Sequence, residues 1–189
     1  MRKVVLFAHM SLDGFAGDIN GGLSFLSYDG ELQEYAAELV KTVGAPLYGK
    51  TTYQLMEGYW PTVLNNPNAD KHALEHAQWV DQIPKVVFST TLESVSWNNT
   101  TLIRDNVVEE VGKLKQEPGK DLVIFGSPGL AKSFMNLGLI DEYKLTLHPV
   151  ILGNGISLFD NNTTISSLKL LDTQTLGSGV VTLHYSANK

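Results

Sequence analysis

The chain contains no cysteine. That excludes disulfides, thiolate nucleophiles and Cys-ligated metals, and it suits a reducing compartment. No apolar run approaches the ~18 residues that a membrane-spanning helix needs. Positive charge is in the minority: 14 Lys and Arg against 20 Asp and Glu leave a net charge of -6. Such a field repels a nucleic-acid backbone on average. The start, Met1-Arg2-Lys3-Val4-Val5-Leu6-Phe7, passes straight into Ala8-His9-Met10-Ser11 with neither the length nor the cleavage pattern of a signal peptide. These absences predict a cytoplasmic protein that partners neither nucleic acid nor membrane.

What is present is an ordinary globular composition, 43% hydrophobic and 18% charged over 189 residues. That length suits one domain, here residues 1–189, with enough chain to bury a core unaided. Consecutive apolar residues predict buried strands at 3–10, 45–49, 85–89, around Leu102-Ile103, and at 122–125. Helical periodicity falls between them, beginning at Glu31, Thr51, Asp70, Val107 and Ser127. Thr51, Asp70 and Ser127 are the expected N-caps, Pro128 suits a first helical position, and Gly44 is expected to end the first helix. A Gly-rich stretch to Gly22 reads as a mobile loop. After Gly138 come three strand-like segments, 143–152, 168–176 and 180–185, the last two joined as a hairpin. Alternating β and α followed by hairpin strands predicts an α/β fold: a mostly parallel central sheet flanked by helices, with antiparallel C-terminal strands.

Ligands of open α/β sheets collect at the carboxyl ends of the strands. Four expected strand ends matter, after Met10, Tyr48, Phe88 and Phe125. Gly126-Ser127-Pro128-Gly129-Leu130-Ala131 opens a helix, where free amides and the positive helix end attract phosphate. Gly49-Lys50-Thr51-Thr52 adds an ammonium and two hydroxyls to a second helix start, though it lacks the glycine spacing of a Walker A loop. Ser89-Thr90 presents hydroxyls at a third strand end. Asp13, Asp18, Asp29 and Glu31 lie near the first loop, and a carboxyl group in an apolar cleft there can hold a proton and donate it. His72-Ala73-Leu74-Glu75-His76 matches a zinc-peptidase pattern but lacks a downstream third ligand, so no metal is expected.

In order, these motifs resemble the dihydrofolate reductase fold, and most closely the reductase domain of the bifunctional deaminase-reductase of riboflavin biosynthesis. The resemblance rests on Ser11-Leu12-Asp13-Gly14, Tyr48-Gly49-Lys50-Thr51-Thr52-Tyr53, Lys85-Val86-Val87-Phe88-Ser89 and Phe125-Gly126-Ser127. Gly138-Leu139-Ile140-Asp141-Glu142 followed by Pro149-Val150-Ile151-Leu152-Gly153-Asn154-Gly155 completes it. It implies NADPH-dependent hydride transfer to a pterin- or pyrimidine-like ring. By the same resemblance, the backbone at Ala8, His9 and Ala16 holds the nicotinamide carboxamide, and Lys50, Thr51 and Thr52 serve phosphates. Ser89 and Thr90 lie near the adenosine ribose, Gly126 to Ala131 cradle the pyrophosphate, and residues 14–26 close over the ring. Asp29 or Asp13 is the expected catalytic carboxylate, and a homodimer is implied. Two departures stand out: Gly126-Ser127 where the family has two glycines, and Lys50 where it has arginine. The other readings are folate reduction, a nucleotide-binding protein without efficient catalysis, and a zinc hydrolase using His72 and His76.

Overall fold

A computed structural model describes residues 1–159 and 167–188. Eight strands form one sheet in the order β4-β3-β2-β5-β1-β6-β8-β7. They are β1 (Val4–Ser11), β2 (Val43–Gly49), β3 (Lys85–Phe88), β4 (Thr100–Ile103), β5 (Asp121–Phe125), β6 (Glu142–His148), β7 (Leu168–Thr175) and β8 (Val181–Ala187). The first six run parallel, and β8 and β7 close that side antiparallel. The fold is thus the mostly parallel α/β sheet with antiparallel C-terminal strands that the order of elements along the chain implied.

Five helices cover the sheet: α1 (Gly30–Thr42), α2 (Lys50–Leu64), α3 (Lys71–Gln82), α4 (Val107–Gln116) and α5 (Pro128–Asn136). Strand alternation decides which residues meet which helix. Val4, Leu6, Leu47, Val86, Leu122 and Ile124 pack with Val111 of α4 and with Leu130 and Phe134 of α5. The intervening residues face the other way: Val5, Phe7 and Val123 meet Leu39 and Tyr35 of α1, while Tyr48 and Val87 meet Tyr53 and Val80 of α2 and α3. Strands buried on both faces have to be apolar throughout, which is why they read as continuous runs.

Local expectations were met at Asp70, whose side chain accepts from the Ala73 amide at the start of α3. Three others need correction. Gly44 does not end a helix in a left-handed turn; α1 stops at Thr42 and Gly44 lies inside β2. Glycine is required there because a Cβ would sit 2.3 Å from the Lys120 carbonyl oxygen. Thr51 is not a cap, since α2 begins at Lys50 with Gly49 as N-cap. The strand expected over 143–152 stops at His148, because Pro149 cannot donate to the ladder.

Lys85 begins β3 with no exposed surface, and its ammonium donates to the carbonyls of Val80, Asp81 and Ile83. Those are acceptors that the end of α3 leaves unpaired, so one buried cation closes a helix terminus.

Candidate active site

The carboxyl ends of β1 to β5 open onto a cavity of about 720 Å³. It lies where β1 outruns its neighbour. The last β1–β5 pairing is Phe7 with Phe125, and the chain then leaves through Gly126 while β1 continues to Ser11. The N-termini of α2 and α5 face the resulting gap, because each helix starts directly from a strand end that lines it.

Most residues expected to bind a cofactor line this one cavity: His9, Ala16, Gly49, Lys50, Thr51, Thr52, Ser89, Thr90, Gly126, Ser127, Pro128, Gly129 and Leu130. Ala8 and Ala131 do not, being 1% and 0% exposed. Gly126 and Ser127 both adopt left-handed backbone, with φ of +56° and +46°. The kink where the resembled family has two glycines is therefore present, with a serine accepting the strain. Ser127 takes the expected N-cap position, but its side chain makes no capping bond to the helix. Its Oγ instead accepts the Gly49 amide at 2.9 Å and ties the two phosphate-type loops together. A Cβ on Gly49 would lie 3.0 Å from that oxygen, a tight contact from which the serine side chain would have to draw back.

Beside these loops Lys50 donates to Thr91 Oγ1 at 3.2 Å and leaves two N–H donors. Ser89 Oγ accepts the amides of Thr91 and Leu92 and lies 3.5 Å from Thr91 Oγ1. Arg104 completes this end; it lines the cavity and one guanidinium nitrogen donates to the Thr90 carbonyl. Sequence reasoning missed Arg104 because the short strand before it was not counted among the strand ends. Its signal is simple: a basic residue directly after Leu102-Ile103.

At the other end, the β1 ladder shows which backbone groups are free. Lys3 and Phe7 bond toward β5, and Val4 bonds toward β6. By that alternation the amide and carbonyl of His9 point into the gap beyond Phe125, whereas those of Ala8 face β6. Ala16 has its amide committed to the Ile156 carbonyl at 2.8 Å. The Gly-rich loop is correspondingly tied at its start. Phe15 bridges Ser157, Ile156 donates back to Gly17, and a Cβ on Gly155 would lie 2.3 Å from the Gly17 carbonyl oxygen.

The carboxylates do other work. Asp13 is exposed and accepts the amides of Leu152 and Gly153 at 3.1 and 2.7 Å, joining Ser11-Leu12-Asp13-Gly14 to the Leu152-Gly153-Asn154-Gly155 turn. Asp29 is the N-cap of α1 and accepts the Leu32 amide at 2.9 Å. Asp18 caps its own turn through Asn20 and Gly22, and Glu31 accepts the Gly177 amide. A hydrogen bond from Ser11, with the two loop amides, holds the Asp13 carboxyl below the usual carboxylate range. The Leu32 amide does the same to Asp29. The expectation of a proton held in an apolar cleft does not fit these two groups; neither lines the cavity, and both favour the charged form.

The paired histidines on α3 are also placed. The His76 ring packs against Trp60 and Trp79 at centroid distances of 4.4 and 5.0 Å, and burial pushes its pKa down to about 4. His72 is exposed. Among the described residues no group of three or more His, Asp or Glu side chains is arranged to hold a metal.

Comparison with known proteins agrees with this architecture. The family model described as the RibD C-terminal domain matches residues 2–182. The uncharacterized protein YyaP of Bacillus subtilis (strain 168) is 35% identical over 187 residues, 99% of this chain and 96% of that protein. A Shewanella sp. PV-4 protein assigned to riboflavin biosynthesis superposes with a TM-score of 0.77 at 20% identity, over 99% of both chains. The Thermotoga maritima diaminohydroxyphosphoribosylaminopyrimidine deaminase/5-amino-6-(5-phosphoribosylamino)uracil reductase gives 0.69 at 14% identity, over 99% of this chain and 57% of that one. Dihydrofolate reductase from Enterococcus faecalis, complexed with NADP(H) and RAB-propyl, gives 0.62 at 12% identity, over 99% and 97%.

Proposed function

Because the chain belongs to the RibD C-terminal domain family, we propose that it is a cytoplasmic NADPH-dependent reductase acting on a pterin- or pyrimidine-like ring or its ribosylamino derivative. One observation carries the reading: two helix N-termini, two cations and His9 converge on one cavity at the strand ends. Its volume lies within the range of small-molecule and cofactor sites. The NADP(H)-bound dihydrofolate reductase of the same fold supports the choice of cofactor.

In this reading the amides opening α5, after Gly126 and Ser127, receive the pyrophosphate. Lys50, Arg104, Ser89 and Thr90 surround the adenosine ribose and its 2′-phosphate, with no acidic residue among them. The His9 amide and carbonyl hold the carboxamide, and the loop tied by Phe15 and Ser157 roofs the ring and excludes water. When bound, NADPH supplies the hydride; the chain supplies position and electrostatics. Incubating the purified protein with NADPH and a panel of pterins, ribosylaminopyrimidines and dihydropyrimidines tests this directly. Oxidation of NADPH dependent on one of them is expected, and no oxidation with any class counts against it. A second reading, a nucleotide-binding protein without efficient turnover, is favoured by Asp13 and Asp29 being committed to backbone amides. Tight NADPH binding with no turnover selects it.

The same reading includes a homodimer. β7 is an edge strand exposed along its whole length, with Leu168, Leu170 and Leu171 among its exposed apolar residues. Open edges of this kind are normally covered or paired. Light scattering is expected to give twice the 20.7 kDa chain mass; a monomer at all working concentrations contradicts the pairing.

A further inference from the structure

One polar group at the β1 end of the cavity is left unused by that reading. His9 lines the cavity, and its Nε2 has no hydrogen-bond partner among the described residues. Its Nδ1 lies 2.6 Å from Thr146 Oγ1, and that oxygen lies 3.2 Å from His148 Nε2. The Ser27 amide nitrogen is 3.4 Å from His148 Nδ1. His9 and Thr146 are register partners between β1 and β6, and His148 follows two residues on along the same strand face. Tyr28 packs edge-on against His9, and Phe25 edge-on against His148.

With both rings neutral, one arrangement lets the Thr146 hydroxyl both accept and donate within this row. A backbone amide can only donate, so His148 Nδ1 accepts and the His148 proton sits on Nε2. That Nε2–H donates to Thr146 Oγ1. The hydroxyl has one proton of its own and gives it to His9 Nδ1. His9 therefore carries its proton on Nε2, the nitrogen without a partner. The surroundings of both rings favour the neutral form. Burial first, then the neighbouring His148, pushes His9 down to about 4; burial also lowers His148, against the opposing charge of Asp29.

We propose that His9 Nε2–H is the specificity-determining group of this cavity, selecting a ring that presents a carbonyl oxygen there and rejecting one that presents an amino group. The proposal rests on the cavity being a reductase site. A neutral imidazole whose tautomer is fixed by its second nitrogen polarises a carbonyl without giving up its proton. A ligand that turns an amino group toward it leaves two donors face to face, and an unmet buried donor is what makes polar discrimination large. Thr146 and His148 are positioning residues: they touch no ligand and act by fixing which His9 nitrogen bears the proton.

The first test needs neither cofactor nor turnover. Long-range proton–nitrogen spectra of the nitrogen-15-labelled protein at neutral pH report each histidine tautomer, with His9→Gln and His148→Gln assigning the two signals. Nε2–H on both His9 and His148 is expected, with a shift of His9 toward mixed tautomers in Thr146→Val. Nδ1–H on His9, or an unchanged His9 signal in Thr146→Val, overturns the proposal. The second test titrates uracil and 2,4-diaminopyrimidine as probes. Uracil is expected to bind at least ~10-fold more tightly, a ratio that His9→Phe removes, in line with the loss of one buried hydrogen bond. Tighter binding of 2,4-diaminopyrimidine, or failure of both probes to bind, also overturns it. If NADPH does not bind, the reductase reading falls while the tautomer result stands on its own.

Discussion

The two ends of the parallel strands carry similar polar chemistry and use it in opposite ways. At the amino ends of β1, β5 and β6, charges are matched. Asp141 accepts the Val4 amide and pairs with Lys115 at 2.7 Å, and Glu142 binds both Lys3 and His184. Arg2 donates to the Lys120 carbonyl and meets Glu117. At the carboxyl ends, Lys50, Ser89 and His9 line the cavity, and among the described residues only part of their hydrogen-bonding capacity is met. Satisfied polar groups hold a fold together, and unsatisfied ones around a concavity are available to a ligand. The difference teaches that the binding site is marked by what the chain leaves unpaired rather than by where charge is concentrated.

The comparison breaks most sharply if the matched end proves dispensable. Asp141→Ala removes the acceptor of a strand amide and strands the largely buried Lys115, so a loss of about 3–5 kcal/mol in urea unfolding is expected with NADPH affinity unchanged in the folded fraction. A loss below about 1 kcal/mol, the scale of a surface pair, shows that these ion pairs do not secure that end. Next in size is the open end. Lys50→Glu is expected to weaken NADPH by about 1–3 kcal/mol while leaving NADH nearly unchanged, read as dissociation constants at fixed salt. Equal losses for both cofactors move Lys50 to the shared pyrophosphate.

A third effect follows from the neutral imidazoles. His9 and His76 both have folded pKa values lowered from 6.5 to about 4, so between those values the unfolded chain binds more protons than the folded one. Stability is therefore highest above pH 6.5 and falls as pH drops through the window down to about 4, where the loss levels off. His76→Phe, which keeps an aromatic ring between Trp60 and Trp79, is expected to flatten part of that slope in unfolding midpoints taken across the range. An unchanged slope removes His76 as a contributor. The smallest effect belongs to Ser127→Gly. Relief of the left-handed backbone and loss of the bond to Gly49 oppose each other, leaving stability within about 1 kcal/mol in thermal unfolding. A loss above about 2 kcal/mol shows that the bond between the two loops dominates.

How much of this was legible in the sequence follows from the range of each signal. The phosphate-type loops were readable because glycine, a hydroxyl and a helix start stand together within a few residues at Gly49 and Gly126. The His9–Thr146 contact was not, because it joins positions 137 residues apart through β-pairing that no local pattern records. For Asp13 and Asp29 the obstacle is different. The same carboxylate that can shuttle a proton is also the best acceptor for exposed amides, and only the structure shows that each faces amides. Gly44 reads as a helix stop for the same kind of reason. Its need comes from the distant Lys120 backbone, while the sequence offers only its position after a helix.

The central claim is that the open end of the sheet binds NADPH and distinguishes it from NADH. Calorimetric titration of the unaltered protein with each cofactor, at low and at raised salt, tests it most directly. One site per chain is expected, with NADPH about 10-fold or more tighter than NADH at low salt and the gap narrowing as salt screens the 2′-phosphate. Equal affinities at both salt concentrations, or no binding of either cofactor, contradict it.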